Sequence, residues 1–400
     1  MLLVAPLAAG ETGIYISARD AAGGAVEMLM RWMAFWTTIV LLGLSGCKKQ
    51  QGESSEIVIG EYGSLSGSTA VFGQGTHNGI ALAVDQVNAA GGLLGKPVRL
   101  MTEDDAGNQD EAVSVVKKLI DRDNVVAVLG EVASTRSLAG GSVCEQAGVP
   151  MISPSSTNPD VTKDRKYVFR VCFTDDFQGS VGAKFALRRN WKRVAVFSSS
   201  NSDYSKKLSL FFKQTFTAAG GEIVAEETYS DGDKEFKAQL TRMQSKNPDA
   251  VYLPGYYTEI DLILRQARSL GFTVPFFGGD GWDGTTLDDN SEGCCFTNHY
   301  SPEDPRPSVQ EFIAAYKAKY NAVPDAFGIT GYDAARVLFD AIKRAGSADR
   351  NAVRDAIAQT KDFPGAGGSI TIDENHNAKK PIVILDIHDG KTHLADTIQP

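Results

Sequence analysis

The sequence predicts an α/β protein built as two doubly wound lobes. Three observations carry this. Short β-branched runs alternate with amphipathic stretches of helical spacing between residues 57 and 153. A second series repeats the alternation between residues 193 and 277. The 400 residues, 42% apolar and 22% charged, suffice for two ordinary cores.

In the first series Ile57 to Gly60 reads as a strand, Thr76 to Ala90 as a helix stopped by Gly91-Gly92, Val98 to Thr102 as a strand and Asn108 to Arg122 as a helix. Val125 to Leu129, Ser134 to Ala147 and Pro150 to Ser153 continue as strand, helix, strand. The second series opens after "RVCFTDDFQG" with the strand Arg193 to Ser198 and the helix Lys206 to Ala219. It runs on through Ile223 to Tyr229, Phe236 to Lys246, Ala250 to Leu253, Glu259 to Leu270 and Val274 to Phe277. Repeated βα units imply parallel sheets covered on both faces. Two further helices, Val309 to Tyr320 and Tyr332 to Ala345, precede a β-rich end, Ser369 to Ile372 and Ile382 to His388. Pattern alone does not say to which sheet these return.

Charge and cysteine usage narrow the partners. The net charge is -9 and the basic residues are spread along the chain, so no nucleic-acid partner is expected. From Met28 the chain reads "MLMRWMAFWTTIVLLGLSGCKKQ": Arg31, an uncharged stretch from Trp32 to Leu44, then small residues before Cys47. That order predicts an export signal over residues 28–46, too short for a membrane span of about 20 residues. "LSGC" resembles the lipobox of bacterial lipoproteins, which makes Cys47 the expected lipidated residue and 47–55 a polar tether. Residues 1–27 fit neither signal nor domain and read as an upstream extension, with initiation at Met28, Met30 or Met33. Export makes disulfides among Cys144, Cys172, Cys294 and Cys295 permissible, and the sequence leaves their pairing open. No CxxC or HExxH spacing occurs, so neither a metal site nor a cofactor is expected.

Three near-signatures of enzymes fail on definite residues. "GGLLGKP" lacks the spacing, and the Ser or Thr after Lys96, of a phosphate loop. "GQGTHNG", Gly73 to Gly79, is one residue too long for a dinucleotide cradle and reads as following a long loop. "SVVK", Ser114 to Lys117, lies within a helical pattern and has no companion motif.

Polar residues gather where strands end. "VLGEVASTRS" places Ser134 at the expected N-cap of a helix, where backbone N–H groups and the helix dipole favour an anion. "MISPSSTNP" adds Ser155, Ser156 and Thr157 in a turn after the next strand. In the second series "YLPGYYTE" presents Tyr256 and Tyr257, and "FFGGDGWDG" presents Asp280. The glycines around Asp280 are expected to let the backbone approach a ligand. Open α/β sheets bind ligands at the carboxyl ends of their strands. One lobe thus offers anion donors and the other an acid with phenols, a pairing suited to a small zwitterion. A helix cap, a turn threonine and a turn acid would look the same one at a time, and the coincidence at several strand ends favours a site.

These residues carry a resemblance. From about Glu56 to the end the chain is similar to the periplasmic leucine/isoleucine/valine-binding proteins, the type I substrate-binding components of ABC importers. The stretches that carry it are "GSLSGSTAVFGQGTHNGIALAVDQVNAAGGLLGKPV", "MISPSSTNPDVT", "FRVCFTDDFQG", "LILRQARSLGF" and "TNHYSPEDP". The resemblance implies Rossmann-like lobes joined by hinge strands, with 56–174 and 300–381 forming one lobe and 175–299 and 382–400 the other. It implies a ligand carboxylate at Ser134, Thr157 and the main chain of Ser155, an ammonium at Asp280 and Tyr256, and a side-chain pocket shaped by Phe72, Tyr204 and Trp282. Two departures stand out. Asp280 occupies a position where the better-known members carry Glu, and Ala133 one where they carry a disulfide Cys.

The expectation is a monomeric, lipid-anchored protein of the periplasm or cell surface that closes over an amino acid, branched-chain or otherwise hydrophobic, and delivers it to an ABC permease. Two readings share the pocket: a ligand sensor for a membrane receptor, and a binder of amides or urea. An enzyme using Asp280 as general base is the rival of another class, and the sequence shows no nucleophile or second acid at a matching position.

Overall fold

Two sheets organise the protein. The computed structural model describes residues 55–400, so the expected extension, export signal and lipidated Cys47 lie outside the described residues. The first sheet holds β1 (Ile57–Gly63), β2 (Val98–Asp104), β3 (Val128–Leu129), β4 (Met151–Ser153) and β5 (Val168–Arg170) in the order β2-β1-β3-β4-β5. Every pairing in it is parallel. Between the strands run α1 (Ala70–Ala89), α2 (Gln109–Asp121) and α3 (Ser134–Ala147). A crossover sheet of this kind has all its carboxyl ends along one edge.

After β5 the chain enters α4 (Asp175–Arg188), then β6 (Arg193–Ser199), α5 (Asp203–Ala218), β7 (Glu222–Tyr229), α6 (Lys237–Gln244), β8 (Ala250–Tyr252), α7 (Tyr257–Ser269), β9 (Phe276–Gly278) and β10 (Cys295–Asn298). Next come α8 (Pro307–Tyr320), α9 (Ala326–Ala345), α10 (Arg350–Ala358), a small hairpin of β11 (Phe363–Gly365) and β12 (Gly368–Ile370), and β13 (Ile382–His388) with β14 (Lys391–Ile398). The second sheet reads β14-β13-β10-β9-β8-β6-β7. β6 to β10 are parallel, and β13 and β14 add on antiparallel. This is the α/β architecture that the alternation implied, with the return of β13 and β14 to the second sheet now settled.

Strand alternation explains the burial on both faces. In β1, Ile57 and Ile59 join the core under α1, α9 and α10, while Val58 and Tyr62 face the core of α2 and α3. In β6, Val194 and Val196 face one way and Ala195 and Phe197 the other. Helix starts follow from capping side chains. Asn108 accepts from the Asp110 and Glu111 amides, Ser202 from the Ser205 amide and Asp325 from the Gly328 amide.

Three sequence expectations need correction. Helix α1 begins at Ala70, so the Gly73–Gly79 stretch is helical and follows no long loop. Its glycines permit contact: a Cβ at Gly75 would overlap the Asp325 carboxylate, and one at Gly79 the Gly328 carbonyl. Helix α9 begins at Ala326, one and a half turns ahead of Tyr332, because Asp325 caps it. Ser134 is the first helical residue of α3, not its cap, and Ala133 stands at the N-cap without a side-chain bond. Cys144, Cys172, Cys294 and Cys295 are free and buried; of the adjacent pair Cys295 opens β10 and Cys294 stands just before it.

Candidate functional site

The parallel strands of both sheets turn their carboxyl ends toward each other. Beyond β3 and β4 stand Ser134, Ser155 and Thr157, each at most 2% exposed. The Ser134 Oγ accepts from the Asn158 amide at 3.3 Å, and the Ser155 hydroxyl pairs with the Thr330 hydroxyl at 2.6 Å. The Thr157 Oγ1 has no well-aligned hydrogen-bond partner among the described residues, although the Asp175 carboxyl lies close enough for the hydroxyl to favour its charge. A buried hydroxyl without an aligned partner is an opening for a ligand.

From the facing sheet come Tyr204 near the start of α5, Tyr256 before α7, and Asp280 just past β9. Tyr204 and Tyr256 stack with centroids 5.2 Å apart, and Phe72 of α1 meets the edge of Tyr256 at 5.6 Å. Phe327, near the start of α9, packs on Phe72 at 4.4 Å and extends this aromatic wall. The two sheet edges also touch directly. The Asn158 Nδ2 donates to the Asp203 carbonyl at 3.0 Å, the Asp203 amide to the Thr135 Oγ1 at 3.1 Å, and the Tyr257 hydroxyl to the Ser68 carbonyl at 2.7 Å.

Asp280 is 4% exposed and its carboxylate is held by three side chains. Oδ1 accepts from the Gln178 Nε2 at 2.8 Å and from the Tyr204 hydroxyl at 2.9 Å, while Oδ2 lies 3.0 Å from the His299 Nε2. The phenol on Asp280 is therefore Tyr204, which the sequence placed in the side-chain pocket, and not Tyr256. Burial pushes the Tyr204 phenol far above its ordinary range, with the Asp280 charge adding to the effect, so it remains a donor. The glycines beside Asp280 make room for protein atoms. A Cβ at Gly279 would overlap the Tyr204 hydroxyl, one at Gly278 the Trp282 indole, and one at Gly281 the Gly255 carbonyl.

Trp282 stands apart from the wall. It is fully buried in the core beneath β9, stacks on Phe296 at 6.2 Å and donates from Nε1 to the Leu253 carbonyl at 2.8 Å. The structure thus gathers Phe72, Tyr204, Tyr256 and Asp280 and leaves Trp282 as a support under the acid.

Four residues at the site were missed in the sequence: Asp175, Gln178, His299 and Phe327. Asp175 is fully buried, and among the described residues neither carboxylate oxygen has a well-aligned partner, the Thr157 hydroxyl being the neighbour that favours its charge. Burial pushes its carboxyl well above the usual range, and the Asp280 charge pushes the same way. This is a second acid where the sequence showed none. Gln178 follows it by three positions on the same helical face, and His299 comes directly after β10, a position already known to collect polar groups. Among the described residues no cluster of side chains could hold a metal ion.

Comparison with known proteins agrees with this geometry. Residues 56–392 match the family described as periplasmic binding protein. The Leu/Ile/Val-binding protein BraC3 of Rhizobium johnstonii is 36% identical over 327 residues, covering 80% of this chain and 88% of its own. Among solved structures, a leucine-binding protein LivK of Thermotoga maritima has a TM-score of 0.82 at 41% identity, covering 86% of this chain and 99% of its own. The branched-chain amino acid transporter substrate-binding protein LivJ of Streptococcus pneumoniae, in complex with isoleucine, has a TM-score of 0.81 at 34% identity, covering 86% of this chain and 100% of its own. The type I lobes, the paired strand ends and these relatives converge: the chain belongs to the periplasmic binding protein family, among the leucine/isoleucine/valine-binding proteins.

Proposed function

We propose that this protein captures an amino acid with an apolar side chain, branched-chain above all, and delivers it to an ABC permease. The observation that supports this reading is the buried Asp280 carboxylate beside the stacked Tyr204 and Tyr256 rings, with the buried Ser134 and Thr157 hydroxyls at the strand ends of the other sheet. A zwitterion satisfies both ends at once. Its carboxylate takes the Ser134 and Thr157 hydroxyls with the α3 N-terminus, its ammonium takes Asp280, and its side chain lies on Phe72, Tyr256 and Phe327. The relatives named above, described as binding leucine, isoleucine and valine, support the same ligand class. In this reading residues 56–174 with 300–381 and residues 175–299 with 382–400 move as two lobes, closed by ligand because only the closed form touches both ends. Lipidation at Cys47 would hold the protein, as a monomer, at the outer face of a membrane.

A thermal-shift screen of the twenty amino acids, urea and simple amides, followed by calorimetry, tests the reading. A ligand at a hundred times its dissociation constant adds about 2.7 kcal/mol of stability. Stabilisation by leucine, isoleucine or valine is expected. A response to urea or amides alone would move the protein to another ligand class.

A further inference from the structure

Beneath the turn that carries Ser155 and Thr157 lies a buried cation. Arg170 ends β5, and its side chain is fully buried. Its Nη1 donates to the Ser156 carbonyl, and its Nη2 to the Asn158 carbonyl at 2.7 Å, the Thr162 hydroxyl at 3.2 Å and the Pro159 carbonyl at 3.3 Å. All four acceptors are neutral oxygens, and among the described residues its Nε has no aligned acceptor. Burial lowers the guanidinium from its ordinary range, yet an arginine in a protein keeps its charge. The acids within reach do not cancel that charge. Asp176 is exposed, Asp373 turns its carboxylate to the Asn375 and Asn377 amides, and burial pushes the Asp175 carboxyl well above the usual range. A buried cation without a counter-ion is costly, so such a group marks where an anion belongs.

The peptide that Arg170 grips shows where. The Ser156–Thr157 peptide is trans, so its N–H points opposite to its C=O. With the carbonyl held by Arg170, the Thr157 N–H is turned away from the guanidinium, and among the described residues it has no aligned acceptor. The next amide, that of Asn158, goes to the Ser134 Oγ. The polarised peptide thus carries the influence of the arginine to the two residues assigned above to the ligand's carboxylate.

We propose that Arg170 is a positioning residue for the ligand's carboxylate: from beneath the Ser155–Thr157 turn it holds the carbonyls that aim the Thr157 N–H, and it supplies the buried positive charge that a carboxylate neutralises and an amide does not. This rests on the amino-acid reading above and deepens it, because it names the group that makes the site choose an acid over the matching amide. Arg170 acts through the turn and does not touch the ligand.

Calorimetry at pH ~6, where the α-ammonium of both ligands is charged, compares L-leucine with L-leucinamide, which keeps the ammonium, the side chain and a carbonyl oxygen but not the negative charge. The readout is the ratio of the two dissociation constants. Wild type is expected to prefer leucine by about a hundred-fold or more. Arg170→Gln and Arg170→Met, both without the charge, are expected to bind leucine more weakly and to cut the ratio about ten-fold or more. Arg170→Lys keeps the charge but not the planar fork, so it should weaken both ligands and hold the ratio within about three-fold of wild type. If Arg170 only braced the turn, its loss would weaken both ligands by the same factor. A neutral variant with the wild-type ratio, or a lysine variant with a ratio as low as the neutral ones, therefore overturns the proposal. Should neither neutral variant fold by circular dichroism, Cys172 gives the test from the other side, since its Sγ lies 3.5 Å from the Ser156 carbonyl that Arg170 holds. Cys172→Asp hands the guanidinium a counter-ion before any ligand arrives, and its ratio is expected about ten-fold below that of the size-matched Cys172→Asn. Equal ratios in that pair overturn the proposal. A wild type that binds leucine no tighter than leucinamide, or binds neither, overturns the amino-acid reading instead.

Discussion

Replacing Asp280 by Asn separates the charge of the site from its shape. The side chain keeps its length, and its carbonyl oxygen can still accept from the Gln178 Nε2 and the Tyr204 hydroxyl, now at 2.8 and 2.9 Å. The amide nitrogen then faces the His299 Nε2, 3.0 Å from the present Oδ2, so two donors oppose each other. Moving the ring proton to Nδ1 relieves that clash but creates a buried donor without a partner. Either way one group is unsatisfied, which costs about 1–3 kcal/mol of folding stability. The effect on binding is larger. An ammonium buried without its counter-charge loses roughly 2–5 kcal/mol, or about thirty-fold to several thousand-fold in affinity. Urea unfolding monitored by circular dichroism reads the first quantity and calorimetry with L-leucine the second. Asp280→Glu discriminates further. With three donors already fitted to the shorter acid, the added methylene must displace Gln178, Tyr204 or His299, so weaker binding is expected although the charge is kept. Asp280→Asn that binds leucine within about three-fold of wild type would refute the reasoning and leave Asp280 a structural acid.

Other expectations follow from the same coordinates. Phe327→Ala opens the aromatic wall beside Phe72, so calorimetry should show about ten-fold weaker leucine binding and a relative gain for bulkier apolar side chains. Tyr257→Phe removes the bond from the Tyr257 hydroxyl to the Ser68 carbonyl across the sheet edges; affinity should drop a few-fold, about 1 kcal/mol, for all amino acids alike. Burial, with Glu131 nearby, pushes the Asp105 carboxyl up to about 7. The folded chain therefore holds a proton that the unfolded chain, near ~3.9, releases, and this contribution to stability falls as pH rises from ~4 to ~7. Asp105→Asn, which keeps an oxygen for the Ser64 hydroxyl, should flatten that fall in thermal unfolding measured at pH ~5 and ~8. The thiols of Cys144, Cys172, Cys294 and Cys295 are buried and pushed up by burial, so alkylation should reach these four only after denaturation.

What the sequence displayed, and what it hid, divides along a physical line. Alternation such as Val194, Ala195, Val196, Phe197 is local, and two opposed cores require it, so the strands of both βα series could be read directly, while β5, β10 and β14 went unread and the sheet that β13 joins stayed open. Strand ends could be read as well, because a polar residue after an apolar run has few other reasons to be there. Phe327 was hidden because the helical pattern becomes regular only at Tyr332, whereas the helix starts where Asp325 caps it. Trp282 was a pocket residue by the resemblance, but a short helical turn over Asp280–Trp282 sends it under the strand. The partners of Asp280 were hidden for a different reason. Gln178 is 102 residues away and His299 19 residues away, and no local rule links them. Strand order supplies the link. Once β10 lies parallel to β9 with Cys295 opposite Phe277 and Phe296 opposite Gly278, the residues just past β10, His299 among them, stand beside those just past β9, Asp280 among them. The 3.0 Å contact between the His299 ring and the Asp280 acid is made possible by that adjacency of strands. An acid can be picked out of a sequence one residue at a time, but the groups that fix its charge become visible only when the strands carrying them are known to be neighbours.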